Sequence, residues 1–201
     1  MKKLLLTMAC VLACGASVAE RADALKQIRV LADSGVANMI NQGGTAEGNV
    51  ELTRGTLIMK AGKLSLKEDP EGYKAAILLA APGALATFRQ KRDGGDLWVE
   101  GEAERIDYDD KTDVVKLSGK ARVKSLEGTR VTNAAEGPFI SYDSRKEVFT
   151  ALNTANGQSK PGGPRVELIF DQKPRAGSAA APGAAPGAAA PPVPPSVPGK
   201  Q

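Results

Sequence analysis

Three glutamates, Glu100, Glu102 and Glu104, alternate behind Trp98, and on an extended strand their carboxyls would line one face at steps of roughly 6–7 Å. Inverting glycosidases place their catalytic acid and base at such a spacing. The plainer expectation is a solvated outer face, with Val99, Gly101 and Ala103 pointing inward between the acids and, after a slip at Arg105, Ile106 and Tyr108 doing the same. A second acidic run, Asp107 to Asp113, resembles the opening of a calcium loop. It departs from that pattern at Lys111, at Thr112 where a glycine is required, and at Ser118 in place of the bidentate glutamate, so a charged hairpin turn is expected. The chain has no histidine, which removes Ser-His-Asp and Cys-His catalysis and histidine-ligated zinc. No phosphate-cradling glycine loop and no nucleophile elbow occurs either. The expectation is a protein that is not an enzyme, with no metal and no cofactor.

The elements that hold these residues begin after an N-terminal stretch in which Lys2 and Lys3 precede an apolar run and then small residues around Ser17 and Ala19. This reads as a secretory signal peptide over residues 1–24, cut after Ala19 or after Ala24. The run is too short to span a membrane. Its removal takes away both cysteines, Cys10 and Cys14, and directs the product to the periplasm. Val11-Leu12-Ala13-Cys14 also resembles a lipobox, which leaves a lipoprotein acylated at Cys14 as the alternative. Of 27 basic residues, 25 remain without Lys2 and Lys3, against 23 acidic, and the signs are interspersed. Phosphate backbones call for a concentrated positive face, so no nucleic-acid partner is expected.

Residues 25–173 read as strand after strand. Ile28, Val30 and Ala32 share one face of a first strand, Lys26 to Asp33. Ala46, Gly48, Val50 and Leu52 share a face of the next. Leu57 and Met59 keep that parity while Leu64 and Leu66 fall on the other, which places a β-bulge near Gly62. Further alternating runs carry Phe88, Leu117 and Ile140, and Val166, Leu168 and Phe170 end the ordered part. Short Gly/Asp turns between strands predict an antiparallel all-β domain of about a dozen strands. Two segments, GNVELTRGTLIMKAGKLSL from Gly48 and GKARVKSLEGTRVTNAAEGPFISY from Gly119, lie 71 residues apart and suggest a repeated hairpin. From residue 174 to residue 201 the chain is rich in alanine, proline and glycine and is expected to be a disordered tail. The aliphatic interior reads as core, or as a groove for lipid chains if two sheets splay apart.

GNVELTRGTLIMKAGKLSL, with LATFRQKRDGGDLWVEGEAERIDYDDKTDVVKLSGKARV, resembles the OstA-type lipopolysaccharide-transport domain over roughly Leu25 to Lys173. The resemblance implies a twisted β-jelly roll, antiparallel and open along one side. It implies lipopolysaccharide, held by its lipid A acyl chains, as ligand. It further implies head-to-tail copies joined through edge strands between an inner-membrane LptC-like component and an outer-membrane LptD-like translocon. By position, family lipid contacts fall on Ile28, Phe88 and Tyr108. Val30, Ile106, Leu117 and Ile140 are the further inward candidates, and Ile28, Val30, Val166, Leu168 and Phe170 are the candidates for partner pairing at the edges Lys26 to Asp33 and Arg165 to Asp171. The chain departs from the family at Gly62, where aspartate is usual, at Ala32, where serine is common, and in its tail. A membrane-tethered relative from the same machine and a β-rich envelope scaffold without cargo stay open beside the soluble bridge.

Overall fold

Alternation of apolar and polar residues builds twelve strands: β1 (Arg29–Leu31), β2 (Ser34–Asn38), β3 (Gly43–Arg54), β4 (Leu57–Glu68), β5 (Lys74–Leu79), β6 (Ala86–Lys91), β7 (Leu97–Ala103), β8 (Arg105–Asp109), β9 (Val114–Glu127), β10 (Arg130–Asp143), β11 (Val148–Leu152) and β12 (Glu167–Phe170). The computed structural model describes Asp23, residues 26–40 and residues 42–172. Apart from Asp23, the expected cleavable leader with Cys10 and Cys14, and the expected tail, lie outside the described residues.

All pairings are antiparallel, and the four long strands each serve two layers. β3 pairs β2 through Gly43–Asn38 to Glu47–Ser34, then β1 through Glu51 to Thr53. β4 pairs β6 at Ile58 to Lys60 and β5 at Lys63 to Glu68. β9 pairs β8 up to Ser118 and β7 from Arg122, and β10 pairs β12 at Asn133 to Glu136 and β11 from Phe139. One layer therefore runs β2-β3-β4-β5-β8-β9-β10-β11 and the other β1-β3-β4-β6-β7-β9-β10-β12. Through the shared strands the ladder closes on itself as a six-strand ring, β4-β5-β8-β9-β7-β6.

Left-handed backbone makes the bends. Gly48 (φ 77°) and Asn49 (φ 44°) stand opposite Gly62 alone, and Gly119 (φ 77°) and Lys120 (φ 50°) stand opposite Pro138. Two residues against one is a bulge: β3 and β9 keep one inward parity through it, Ala46 with Val50 and Leu117 with Ala121, and the strand facing each changes parity. The expected bulge near Gly62 is thus carried by the facing strand, and the parity change at Leu64 follows from it. At the far ends of these hairpins, Gly55 (φ 59°) precedes Thr56 and Gly128 (φ 60°) precedes Thr129. A two-residue loop with glycine first is the type II′ geometry that matches strand twist.

The suspected repeat is present. Asp33 N–H donates to the Gly48 carbonyl and Glu104 N–H to the Gly119 carbonyl, each at 2.9 Å. The unit β1 to β4 reappears as β7 to β10, and the 71-residue offset relates every β1–β3 and β2–β3 pair to a β7–β9 or β8–β9 pair. Two expected strands are shorter than read. The first breaks at Ala32 and Asp33, where the kink to β2 falls, so Ile28 precedes β1 rather than lying within it. The last begins at Glu167 and leaves Val166 just outside.

Between the layers lies one apolar core that includes Leu52, Met59, Phe88, Ile106, Leu117 and Tyr142. Gly101 is required there: a Cβ on it would stand 2.3 Å from Phe88 Cε1 and 3.0 Å from Leu117 Cδ2. Gly101→Ala is expected to lower unfolding free energy by about 1–3 kcal/mol, the usual cost of overpacking, as read by chemical denaturation. A neutral result would mean that the Phe88 ring is free to move aside.

Candidate functional site

The inward positions anticipated from sequence converge on one interior. Phe88, Ile106, Leu117 and Ile140 are all at most 2 % exposed. Phe88 stacks on Tyr142 at 6.4 Å between ring centroids, and Tyr142 on Phe149 at 4.8 Å. These side chains fill the middle of the roll rather than lining open space. Ile28 and Val30 are half-buried against one end of the same core.

The interior becomes accessible toward the first strands. There a groove of about 780 Å³ lies between β1, β2, β3 and β4, with Val30, Val36, Ala46, Leu64 and Leu66 among its lining residues. Val36, Met39 and Ile40 stand 72 %, 87 % and 96 % exposed beside it. At the other end β12 carries Leu168, Ile169 and Phe170 in the open, with half-buried Val166 beside them. β1, β2, β11 and β12 each pair on one side only among the described residues. Among the described residues the two ends of the roll are therefore uncapped sheet edges with apolar side chains, a template for further pairing.

Tyr108 has a polar partner that the sequence reading did not anticipate. Arg54 Nη1 donates to Tyr108 Oη at 3.1 Å and also pairs with the Asp110 carboxylate, whose other oxygen accepts from Lys74 N–H at 3.3 Å. Burial pushes the Tyr108 hydroxyl up to about 12 against the opposing pull of Arg54. Burial also opposes the charge on Arg54, but the Asp110 hydrogen bond and the field of its neighbours outweigh that, so the guanidinium holds its proton more tightly than usual. A signal for this cluster was present: Arg54 continues the inward parity of Val50 and Leu52. A cation in an apolar parity needs a buried partner.

Glu100 and Glu102 of β7, and Glu104 just after it, lie on the outer face, as expected. Glu100 pairs with Arg89 at 2.6 Å and Lys124 at 3.6 Å, Glu102 with Arg122 at 3.2 Å, and Glu104 with Lys120 at 2.9 Å. The calcium-like run forms a turn in which Asp109 accepts the Lys111 N–H at 2.9 Å and Asp113 pairs with Arg145 at 2.7 Å. Among the described residues no acidic cluster is arranged to hold a metal ion.

Comparison with known proteins adds to this geometry. The family described as LptA/(LptD N-terminal domain) LPS transport protein matches residues 29–148. The lipopolysaccharide export system protein LptA of Haemophilus influenzae is 28% identical over 158 residues, covering 79% of this chain and 87% of that one. LptA of Escherichia coli (strain K12) is 28% identical over 144 residues, 69% of this chain and 77% of that one. In three dimensions the roll matches LptH from Pseudomonas aeruginosa, described as the LptA homologous periplasmic component of the conserved lipopolysaccharide transport device. That match has a TM-score of 0.63, 24% identity, and covers 75% of this chain and 99% of the other.

Removing one partner of the buried pair should expose its worth. Arg54→Met leaves Asp110 uncompensated and is expected to cost about 3–5 kcal/mol in a denaturant titration, with Arg54→Met/Asp110→Leu recovering most of it. Tyr108 also predicts an alkaline limit. Its folded value of about 12 lies above the ordinary 10. Its contribution is therefore whole below pH 10 and fades as pH rises through 12. The slope of stability against pH above 10 should flatten in Tyr108→Phe, and an unchanged slope would assign the alkaline loss to other groups.

Proposed function

The chain belongs to the LptA/(LptD N-terminal domain) LPS transport family, and from that premise we propose that it is a periplasmic, non-enzymatic carrier that takes lipopolysaccharide by its acyl chains and hands it along the interior of joined rolls. The observation that carries this reading is the continuity between the apolar interior and the groove at Val30, Val36 and Leu64. Each methylene moved from water into such a surface is worth about 0.8 kcal/mol, so a few acyl chains suffice for strong binding. Ile28, Val30, Phe88, Ile106, Tyr108, Leu117 and Ile140 are the proposed lipid-facing set. Val30 borders the groove directly, and the buried members are reached only when the layers part.

The internal repeat supports end-to-end assembly and supplies its register. Within the chain the first unit joins the second through β6–β7, where Phe88 faces Gly101 and Arg89 faces Glu100, and through β5–β8, where Leu79 faces Arg105. β12 and β11 hold the positions on β10 that β6 and β5 hold on β4. β1 and β2 stand to β3 as β7 and β8 stand to β9. Carried over, β12 pairs with β1 of the next copy so that Leu168 faces Val30 and Phe170 faces Ile28, while Leu152 of β11 faces Ser34. The same edges would meet an LptC-like component at the inner membrane and an LptD-like translocon at the outer one by strand addition. Asp23 also bears on the leader. Its carboxylate accepts the Thr56 N–H at 2.8 Å, which favours the cut after Ala19, since a cut after Ala24 would discard it.

The packed middle of the roll favours one competing reading, an envelope scaffold without cargo. A photo-reactive residue at Val36 should crosslink to added lipopolysaccharide, while one at outward-facing Thr87 should not; no adduct at Val36 would leave the scaffold as the better account. The register has its own check, in a chain with Cys10 and Cys14 replaced by serine. Directly opposed strand residues lie within disulfide reach. Leu168→Cys with Val30→Cys should oxidise to a ladder of covalent oligomers and Leu168→Cys with Leu31→Cys should not. Reversal of that pattern would overturn the register.

A further inference from the structure

The two long margins of the roll are built differently. Along one, β3, β4, β9 and β10 bend from layer to layer at Gly48–Asn49, Gly62, Gly119–Lys120 and Pro138, so the backbone itself joins the layers. Along the other lie the turns, Gly55–Thr56, Arg92 to Asp96 and Gly128–Thr129 in one layer, and Asp69 to Tyr73, Asp110 to Asp113 and Ser144 to Glu147 in the other. No backbone hydrogen bond among those described crosses this second margin. Side chains cross it instead.

Two ion pairs do so. Arg54, at the tip of β3, reaches Asp110 in the turn after β8. Arg92, just past β6, forks onto Glu147 in the turn before β11, with Nε at 3.2 Å from one carboxylate oxygen and Nη2 on the other. The remaining pairs described link neighbouring strands or turns of one layer, as Arg145 does with Asp113 and Lys111 with Glu71. The pairs also differ in setting. Arg54 and Asp110 are 7 % and 10 % exposed, with Arg54 also bound to Tyr108, while in the second pair Arg92 is 16 % exposed and Glu147 40 %, so water reaches that pair from the Glu147 side. Buried pairs break at great cost; exposed ones open readily and weaken with salt. The tip beside Arg54 is held further by Asp23, which accepts from both the N–H and the hydroxyl of Thr56, while Lys91 N–H donates to that hydroxyl at 3.3 Å.

We propose that Arg54–Asp110 and Arg92–Glu147 form a two-point clasp across the margin without backbone bonds, the first pair a fixed pin and the second a releasable catch. Opening of the catch lets the layers part about the bent strands, so that acyl chains enter the interior from the side. The inference rests on the carrier reading above and adds the gate to it. It follows from the filled core: Phe88, Ile140 and Tyr142 leave acyl chains no room until the layers separate, and separation is possible only where side chains alone hold them.

The test uses the full chain with Cys10→Ser and Cys14→Ser. Two long side chains meet at the catch, so a direct disulfide is too short. Arg92→Cys with Glu147→Cys would be joined by a short bifunctional maleimide and compared with the same protein capped by a monofunctional one, both checked for matching circular dichroism. Uptake of purified lipopolysaccharide is followed by gel shift. The linked protein should load at least tenfold more slowly than the capped one, Arg92→Glu should load faster than wild type, and Arg92→Glu/Glu147→Arg should return to the wild-type rate. Equal loading of linked and capped proteins, with wild type loading normally, would overturn the clasp alone. A wild-type protein that takes up none would overturn the carrier reading and the clasp together.

Discussion

A strand that must serve two layers has to bend, and the rest of the roll follows from where it does so. Gly48–Asn49 and Gly119–Lys120 adopt left-handed backbone in the middle of twelve- and fourteen-residue strands, and at each the facing strand gives up one residue. The bulge does three things at once. It turns the chain from one layer to the other, shifts the inward parity of the facing strand, from Met59 to Leu64 and from Ala135 to Ile140, and frees the strand to take a second neighbour. β4 can then hold β5 and β6, and β9 can hold β7 and β8, without any crossover helix. A glycine is needed at each bend for more than its φ: a Cβ on Gly48 would strike Asp33, and one on Gly119 would strike Glu104, the kink residues of the two repeats.

The same bends explain why the interior is apolar. Everything reaching the middle does so from alternating strand positions, and those are aliphatic or aromatic, with Gln90 and Ser125 among the few polar exceptions. Apolar burial is non-directional, so such an interior has few specific polar partners to lose, whereas a polar interior would depend on them. The charged residues are kept outside in cross-strand ladders such as Arg89–Glu100–Lys124, with Arg89 also stacked over Trp98 at 4.3 Å. The outer face thereby stays soluble while the inner face remains oily.

Most of the strands were legible because alternation is a local signal. Ala86, Phe88 and Gln90, and Val99, Gly101 and Ala103, could be placed inward from spacing alone, and the slip before Ile106 was visible as a break in parity. The similarity of the segments from Gly48 and Gly119 also pointed correctly to a repeated hairpin. What the sequence could not reveal depends on contacts between residues far apart in the chain. Whether Phe88 lines a groove or fills a core is decided by Tyr142 across the roll, and the partners of Arg54 and Arg92 lie more than fifty residues away. The break of the first strand at Ala32 is likewise tertiary, set by the hydrogen bond from Asp33 to Gly48.

The repeat also accounts for an otherwise puzzling asymmetry between the middle and the ends. Strands β5 to β8 are paired on both edges, though β6 holds β4 by only three residues, while β1, β2, β11 and β12 are paired on one edge among the described residues, β1 by three residues and β12 by four. A protein meant to stay alone would be expected to blunt such edges with lysine, proline or a covering loop. Here they instead present Leu31, Val36, Leu168 and Phe170 to solvent. Each end is what the internal junction would look like if the chain were cut between its two units. Among the described residues these edges keep backbone groups unpaired on one side, which a further β-strand could satisfy. The stability of the first and last strands then depends on what they meet, since an isolated three-residue strand has few bonds to hold it.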